Sequence, residues 1–131
     1  MFRAYDIALE IIRQLAVVVP QIKRHNADLA KQIVRAGNSI TLNLAEGSRR
    51  RGEDRSYLYS VAAGSADEVL AGLDTAHAWG WIGRTPVLRD RIDHLLAILW
   101  KIVPLVRQSP RERAEMIEDL PSLDRPIDVA P

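Results

Sequence analysis

The residues of this chain best suited to bind a ligand are four arginines within seven positions: Arg49, Arg50, Arg51 and Arg55. A guanidinium group is planar, stays charged and presents several N–H donors that match the oxygens of a phosphate. Glu53 and Asp54 offset part of this positive charge. The cluster therefore predicts a phosphate-binding rim for RNA or DNA, and the alternative is a solvated loop that binds nothing.

The histidines and serines form no pattern typical of catalysis. None of the three histidines has a second histidine at the spacing of metal ligands on a helix. Asp90, four residues before His94, is better explained as a surface hydrogen-bond partner than as half of a metal site. No serine has a histidine base placed by the sequence, and no glycine-rich phosphate loop occurs. We therefore predict that the protein is not an enzyme and holds no metal or other cofactor.

Composition limits the class of protein further. A chain of 131 residues with 47% hydrophobic and 27% charged residues fits one soluble domain. The absence of cysteine excludes a disulfide scaffold, a thiolate zinc site and a thiol nucleophile. The longest apolar run, residues 95–100, is far shorter than the ~20 residues that span a bilayer, and the first residues lack the apolar stretch of a signal peptide. The sequence predicts a cytoplasmic protein with no membrane contact.

Charge alone does not identify a nucleic-acid-binding domain. The net charge is +1 and the pI is about 8.2, whereas dedicated nucleic-acid-binding domains have pI values above about 9. Three tryptophans, Trp79, Trp81 and Trp100, could stack on bases. The alternative is that they anchor the corner between two helices or a contact between subunits.

Apolar residues recur at helical spacing along four long segments. In the first segment they step by three and four positions from Tyr5 to Ile22, with a second apolar row beside them, and Pro20 predicts a kink or an early end. A second helix is predicted for residues 27–46, closed by Gly47 in the left-handed conformation. A third helix follows from residue 53 or 54 to residue 80. Its interior glycines predict close approach of a neighbouring backbone.

The fourth helix is predicted to begin at Pro86, with Thr85 as its N-cap, and Pro104 should kink or end it near Lys101. Four such helices joined by short loops predict an all-α fold, an antiparallel up-down four-helix bundle in residues 1–107. A three-helix bundle with a swapped arm fits less well, because all four segments carry apolar seams. Residues 108–131 are predicted to be a C-terminal extension with a short helix at about 110–119 and then a mobile tail.

Polar residues interrupt the second helix and face small and acidic residues on the third. This structural polar motif comprises Gln32, Arg35, Ser39, Asn43, Glu46, Ser65 and Glu68. We interpret it as interhelical hydrogen bonds and ion pairs that fix the helix register, with a ligand or partner patch as the alternative. Antiparallel pairing predicts that Arg35 is partly buried against Glu68 and that Glu46 lies near Arg55.

The same region carries a specific combined sequence pattern, Q-I-x-R-A-x-x-S-I-x-x-N-x-A-E-G followed by G-S-x-x-E. It is formed by Gln32-Ile33-Val34-Arg35-Ala36, Ser39-Ile40, Asn43-Leu44-Ala45-Glu46-Gly47 and Ala63-Gly64-Ser65 with Glu68. This pattern resembles that of the four-helix bundle proteins encoded in 23S ribosomal RNA intervening sequences, over about residues 4–107. The loop after Gly47 is one residue shorter than usual, and the tail after Arg107 has no counterpart.

The resemblance implies an antiparallel four-helix bundle that assembles into a homopentameric ring, in proteins mostly of unknown biochemical role. The family is similar to the accessory variability protein of diversity-generating retroelements. Those proteins are basic, bind nucleic acid and contact a reverse transcriptase. The resemblance therefore implies three candidate partners, which are further copies of the chain, RNA or DNA, and a reverse transcriptase.

Two functions remain open at the level of the sequence. The first is a non-enzymatic oligomeric scaffold or adaptor that binds RNA or DNA through the arginine loop. The second is a protein-only interaction module that forms a homo-oligomeric ring without a nucleic-acid role. Salt-sensitive binding to nucleic acid distinguishes them.

Overall fold

A computed structural model describes residues 3–107 of the chain, with side chains described up to Val103, and this range contains four α-helices and no strand. The helices are α1 (Arg3–Lys23), α2 (Ala27–Ser48), α3 (Gly52–Ala78) and α4 (Pro86–Arg107). The predicted all-α four-helix bundle is confirmed. The predicted short helix at about 110–119 and the tail lie outside the described residues.

Contacts between residues of different helices show how the helices are arranged. Ser39 of α2 contacts Ser65 of α3, whereas Gly47, later in α2, lies against Tyr59, earlier in α3. Positions that advance along one helix thus meet positions that recede along the other, so α2 and α3 are antiparallel. α1 packs on α2 and α4, and α3 packs on α2 and α4, which closes the four helices into a bundle.

The core is formed by the apolar seams that the sequence predicts. Fully buried residues from all four helices include Ile11, Ile33, Leu73 and Leu95. Within each helix the buried residues recur mainly at spacings of three and four positions, so they form one stripe along the helix. Burial of such stripes is the main stabilising contribution in a bundle of this kind. No helix in the described range is long and apolar enough to cross a membrane.

The helix ends differ from the predictions at both prolines. α1 continues through Pro20 to Lys23, and α4 continues through Pro104 to Arg107. A proline inside a helix removes one backbone N–H, but the helix persists where packing outweighs that loss. The fully buried Ile22 lies beyond Pro20 and fastens the last turn of α1 to the core. An early end is therefore wrong at both prolines, and a kink, the other predicted outcome, stays a prediction.

Glycines of α2 and α3 also have conformations or neighbours that differ from the prediction. Gly47 is not left-handed, because α2 continues to Ser48 and the only positive-φ residues in the described range are Gly52 and Gly80. A Cβ atom at Gly47 would lie 2.6 Å from Cε1 of Tyr59, so glycine here permits close packing of α3. Of the two interior glycines of α3, a Cβ at Gly72 would lie 2.6 Å from Cγ1 of Ile33, whereas a Cβ at Gly64 would meet no atom within 4 Å. The predicted close approach of a neighbouring backbone is therefore wrong, because Gly72 meets a side chain of α2 and Gly64 meets nothing.

Candidate functional site

The turn between α2 and α3 consists of Arg49, Arg50 and Arg51, all exposed. α2 ends at Ser48, and Gly52 begins α3 with a φ of 62°, a conformation that favours glycine. The turn has three residues between two helices, so it places Arg49, Arg50 and Arg51 together at one end of the molecule.

Arg55 has a different role from the one that the cluster predicted. Its Nε donates to the carbonyl of Gly47 at 3.1 Å and its Nη2 to the carbonyl of Ser48 at 3.2 Å. The last carbonyls of a helix have no partner within the helix, and a cation there also interacts favourably with the helix dipole. Arg55 thus caps α2 from the first turn of α3 and is not a free phosphate ligand.

Arg55 thus lies against the end of α2 beside Glu46, as the antiparallel pairing predicts, but it does not bind the Glu46 carboxylate. Glu46 instead accepts from Nη2 of Arg50 at 3.2 Å, in an ion pair whose side chains are each 54% exposed. Such exposed pairs contribute little and are screened by salt. Arg49 and Arg51 make no side-chain hydrogen bond or ion pair with any residue in the described part of the chain. Two of the four predicted arginines are thus fully available, and Arg50 is weakly held.

Three members of the polar motif do come together. Ser65 of α3 donates to Oγ of Ser39 on α2 at 2.7 Å. Asn43 donates through Nδ2 to both the carbonyl and the Oγ of Ser39, at 2.7 Å and 3.1 Å. These part-buried hydrogen bonds join the two helices at one register. The geometry agrees with the structural interpretation of the motif.

The other members of the motif do not pair as predicted. Arg35 and Glu68 are both exposed, and no ion pair joins them in residues 3–103. Glu68 lies instead with Gln32 and Thr75 along a shallow groove of about 160 Å³ between α2 and α3. The predicted buried pair is therefore wrong, because both side chains reach solvent.

One of the histidines links two elements of the bundle. Nδ1 of His77 lies 3.2 Å from the carbonyl of Ile82, a contact that ties the end of α3 to the turn before α4. The predicted surface hydrogen bond between Asp90 and His94 does not form. No cluster of histidine and acidic side chains suited to a metal ion occurs within residues 3–103.

An aromatic cluster at the opposite end of the bundle was only partly foreseen from the sequence. Trp81 stacks on Trp79 and also on His25, with ring centroids 5.6 Å apart in both pairs and interplanar angles of 12° and 1°. We call these three residues the stacked rings. The tryptophans were recognised as candidates, but His25 was not, because it lies in the turn after α1, more than fifty positions away along the chain. Trp100 stacks on none of them.

A groove between α1 and α2 exposes apolar surface. It has a volume of about 230 Å³ and is lined by Ile12, Leu15, Ala16, Val19, Pro20, Val34, Gly37 and Asn38. Val17 and Leu42, next to the groove on α1 and α2, are 68% and 67% exposed. Apolar side chains that are grouped on one face mark a site of contact with another molecule more often than scattered ones do.

Comparisons with known proteins agree with this architecture. The sequence model of the 23S rRNA-intervening sequence protein family matches residues 2–101. A solved structure from Bacteroides thetaiotaomicron, a protein with unknown function from the S23 ribosomal protein family, superimposes with a TM-score of 0.69. It shares 20% sequence identity, and the superposition covers 76% of this chain and 97% of that one. At this identity the likeness shows the fold. No curated protein matches the chain.

Proposed function

The chain belongs to the 23S rRNA-intervening sequence protein family, and on that premise we propose that it is a non-enzymatic, homo-oligomeric scaffold that binds the phosphates of RNA or DNA. The observation that carries the nucleic-acid part is the turn after α2, in which all three residues are exposed arginines. Arg49 and Arg51 have no partner in the described part of the chain, so binding a phosphate breaks no existing contact of theirs.

Electrostatics and assembly together support this proposal. One bundle presents three arginines, which is a weak site by itself, because exposed single contacts to phosphate are screened by salt. Several copies in one assembly would present the same turn repeatedly, and linked weak contacts gain through effective concentration. The resemblance noted in the sequence favours five copies.

The exposed apolar face of α1 and α2 supports the assembly. Val34 and Asn38 line the groove, Leu42 follows them at four-residue spacing along α2, and Val17 is a further exposed apolar residue on α1. We infer that a further copy of the chain covers this face. The protein-only module remains the second candidate, because this face favours assembly whether or not nucleic acid binds.

The experiment is a binding titration at several salt concentrations with single- and double-stranded RNA and DNA. The wild-type protein should bind without sequence preference, and the logarithm of the affinity should fall linearly with the logarithm of the salt concentration. Replacement of Arg49, Arg50 and Arg51 by alanine should flatten this slope. No binding of any of the four nucleic acids at ~50 mM salt would leave the protein-only module as the function.

A matched control separates the turn from general charge. Arg13, Lys31 and Arg35 are exposed on the body of α1 and α2 and have no ion-pair partner in the described range. Their joint replacement by alanine removes the same charge, so a slope that falls equally in both variants would contradict a role specific to the turn. Light scattering on both variants first establishes that the assembly is unchanged.

A further inference from the structure

The stacked rings are held in place by the backbone around them. Gly80 has a φ of 77°, which reverses the chain so that Trp79 and Trp81, two positions apart, bring their rings face to face. The N–H of Trp81 donates to the carbonyl of Ala76 at 3.0 Å, and that of Trp79 to Thr75 at 3.1 Å. The arrangement is therefore fixed before any ligand binds, which lowers the entropic cost of binding.

Exposure distinguishes the two indoles. Trp81 is half-buried and packs against the core, whereas Trp79 is 69% exposed. An indole is large and apolar, and leaving most of it in water has a cost that core packing does not offset. Trp81 thus serves as the support, and Trp79 offers an open aromatic surface.

Positively charged residues lie close to the stacked rings along the sequence. Lys23 and Arg24 directly precede His25, and Arg84 follows Trp81 by three positions. All three cations are exposed, and none has an ion-pair partner in the described residues. Aromatic rings combined with unpaired cations match a planar ring that carries phosphates, which is the chemistry of an unpaired nucleotide.

We propose that the stacked rings bind an unpaired base of single-stranded RNA or DNA on Trp79, while the neighbouring cations contact its phosphates. The inference rests on the nucleic-acid part of the proposed function and adds a preference for single strands. α2, with 22 residues, separates this site from the arginine turn by about 33 Å. A strand that follows one bundle from end to end can therefore reach both sites.

The test compares oligonucleotides of about 16 nucleotides, near the upper site size of single-strand binding folds. The probes are a single strand of deoxythymidine, its RNA counterpart of uridine, a duplex of equal length and an abasic strand with the same number of phosphates. Trp79→Ala should weaken binding of both single strands by about 10-fold or more, because base stacking on an aromatic ring is lost. Binding of the duplex and the abasic strand should change less than about 2-fold.

Two further variants complete the test. Trp79→Phe should restore most of the affinity, because a phenyl ring also stacks. Trp100→Ala should have little effect, since this indole is exposed by 48% but lies on α4 and stacks on no ring in the described range. An equal loss in the Trp100 variant would contradict the proposal.

Other outcomes overturn the proposal in distinguishable ways. If Trp79→Ala binds single strands as the wild type does, or loses as much affinity for the abasic strand, base stacking on Trp79 is rejected. Neither result contradicts phosphate binding by the arginine turn. A change in assembly mass for Trp79→Ala shows that the ring is a subunit contact. If the triple arginine variant binds normally and Trp79→Ala does not, base binding by the stacked rings is supported and phosphate binding by the turn is rejected. If the wild type binds no probe, both proposals fall.

Discussion

Arg55 joins the beginning of α3 to the end of α2 through two hydrogen bonds to backbone carbonyls. Burial raises the pKa of Tyr59, and the charge of Arg55 opposes this rise. The guanidinium group therefore orders the turn on which Arg49 and Arg51 are displayed. A residue that holds a binding turn in place has a measurable effect on stability, whereas a residue that only displays charge has almost none.

Arg55→Ala should lower the free energy of unfolding by about 1–3 kcal/mol, because two charge-assisted hydrogen bonds are lost and the carbonyl of Ser48 loses its partner, whereas that of Gly47 keeps the N–H of Arg50. Arg51→Ala, the control, should change it by less than about 0.5 kcal/mol. Urea titration of both variants gives the comparison. Equal stabilities would show that the Arg55 bonds contribute nothing in solution.

Gly47 allows a second prediction about packing. Gly47→Ala should destabilise the protein by about 1–3 kcal/mol, because the added methyl group would overlap the buried ring of Tyr59. Gly64→Ala is the matched control, since a Cβ there meets no atom within 4 Å and alanine favours a helix interior by ~1 kcal/mol. Thermal unfolding should move in opposite directions for the two variants. A stabilising Gly47→Ala would mean that Tyr59 relaxes freely.

The contrast between these positions explains which site residues could be predicted. Exposure of the three arginines follows from charge and a short loop, so Arg49–Arg51 were predictable from the sequence. Arg55 belongs to the same cluster, but its direction depends on the rotation of α3 about its axis. The need of the last carbonyls of α2 for a donor was a usable signal. Gly47 was ambiguous because a glycine near a helix end suits either a left-handed cap or close packing.

At the scale of elements, α3 and α4 are joined by contacts at both ends. Near the stacked rings, Arg89 forms an ion pair with Asp74, and toward the arginine turn the buried hydroxyl of Ser56 donates to the carbonyl of Val103 at 3.2 Å.

The helix periods and turns were predictable because the apolar stripes are regular. The passage of α1 and α4 through Pro20 and Pro104 was not, because a proline leaves both a kink and an end open; in α1 the buried Ile22 beyond Pro20 shows packing that the spacing alone does not decide.

Asp93 of α4 gives this helix pair a pH dependence. Burial raises its pKa above the ordinary 3.8; Arg89 opposes this rise, and the charges of Asp90 and Asp74 add to it. Because the folded state holds the proton more tightly than the unfolded state, protonation stabilises the fold. This contribution is fully present below the unfolded pKa and is lost as the pH rises through the raised folded pKa.

Asp93→Asn should therefore be more stable than the wild type at about pH 7, by less than about 1 kcal/mol because the group is partly solvated. The difference should shrink as the pH falls through the raised pKa of Asp93. Urea titrations at several pH values measure it, with Asp67→Asn as the comparison, because Asp67 is exposed and does not contribute to the pKa of Asp93. A difference that grows toward acid pH would reverse the assigned sign.

At the scale of the whole molecule, one bundle leaves the α1–α2 face uncovered. The wild-type protein should scatter light as a multiple of its 14.7 kDa mass at micromolar concentration. Joint replacement of Val17 and Leu42 by glutamate should shift it toward the monomer, because charges would be buried at the contact. Val87→Glu, at an exposed position on α4, should leave the mass unchanged. A monomeric wild type would rule out the assembly.

The three-residue turn between α2 and α3 also has a consequence for proteolysis. Trypsin cleaves after arginine, and Arg49, Arg50 and Arg51 offer it three adjacent bonds at an exposed position. A protease must bind several residues in extended form, and here helices begin on both sides while Arg55 secures their junction. Cleavage must therefore await local unfolding of this end of the bundle. The rate of nicking at the turn accordingly measures how often the end of the bundle opens.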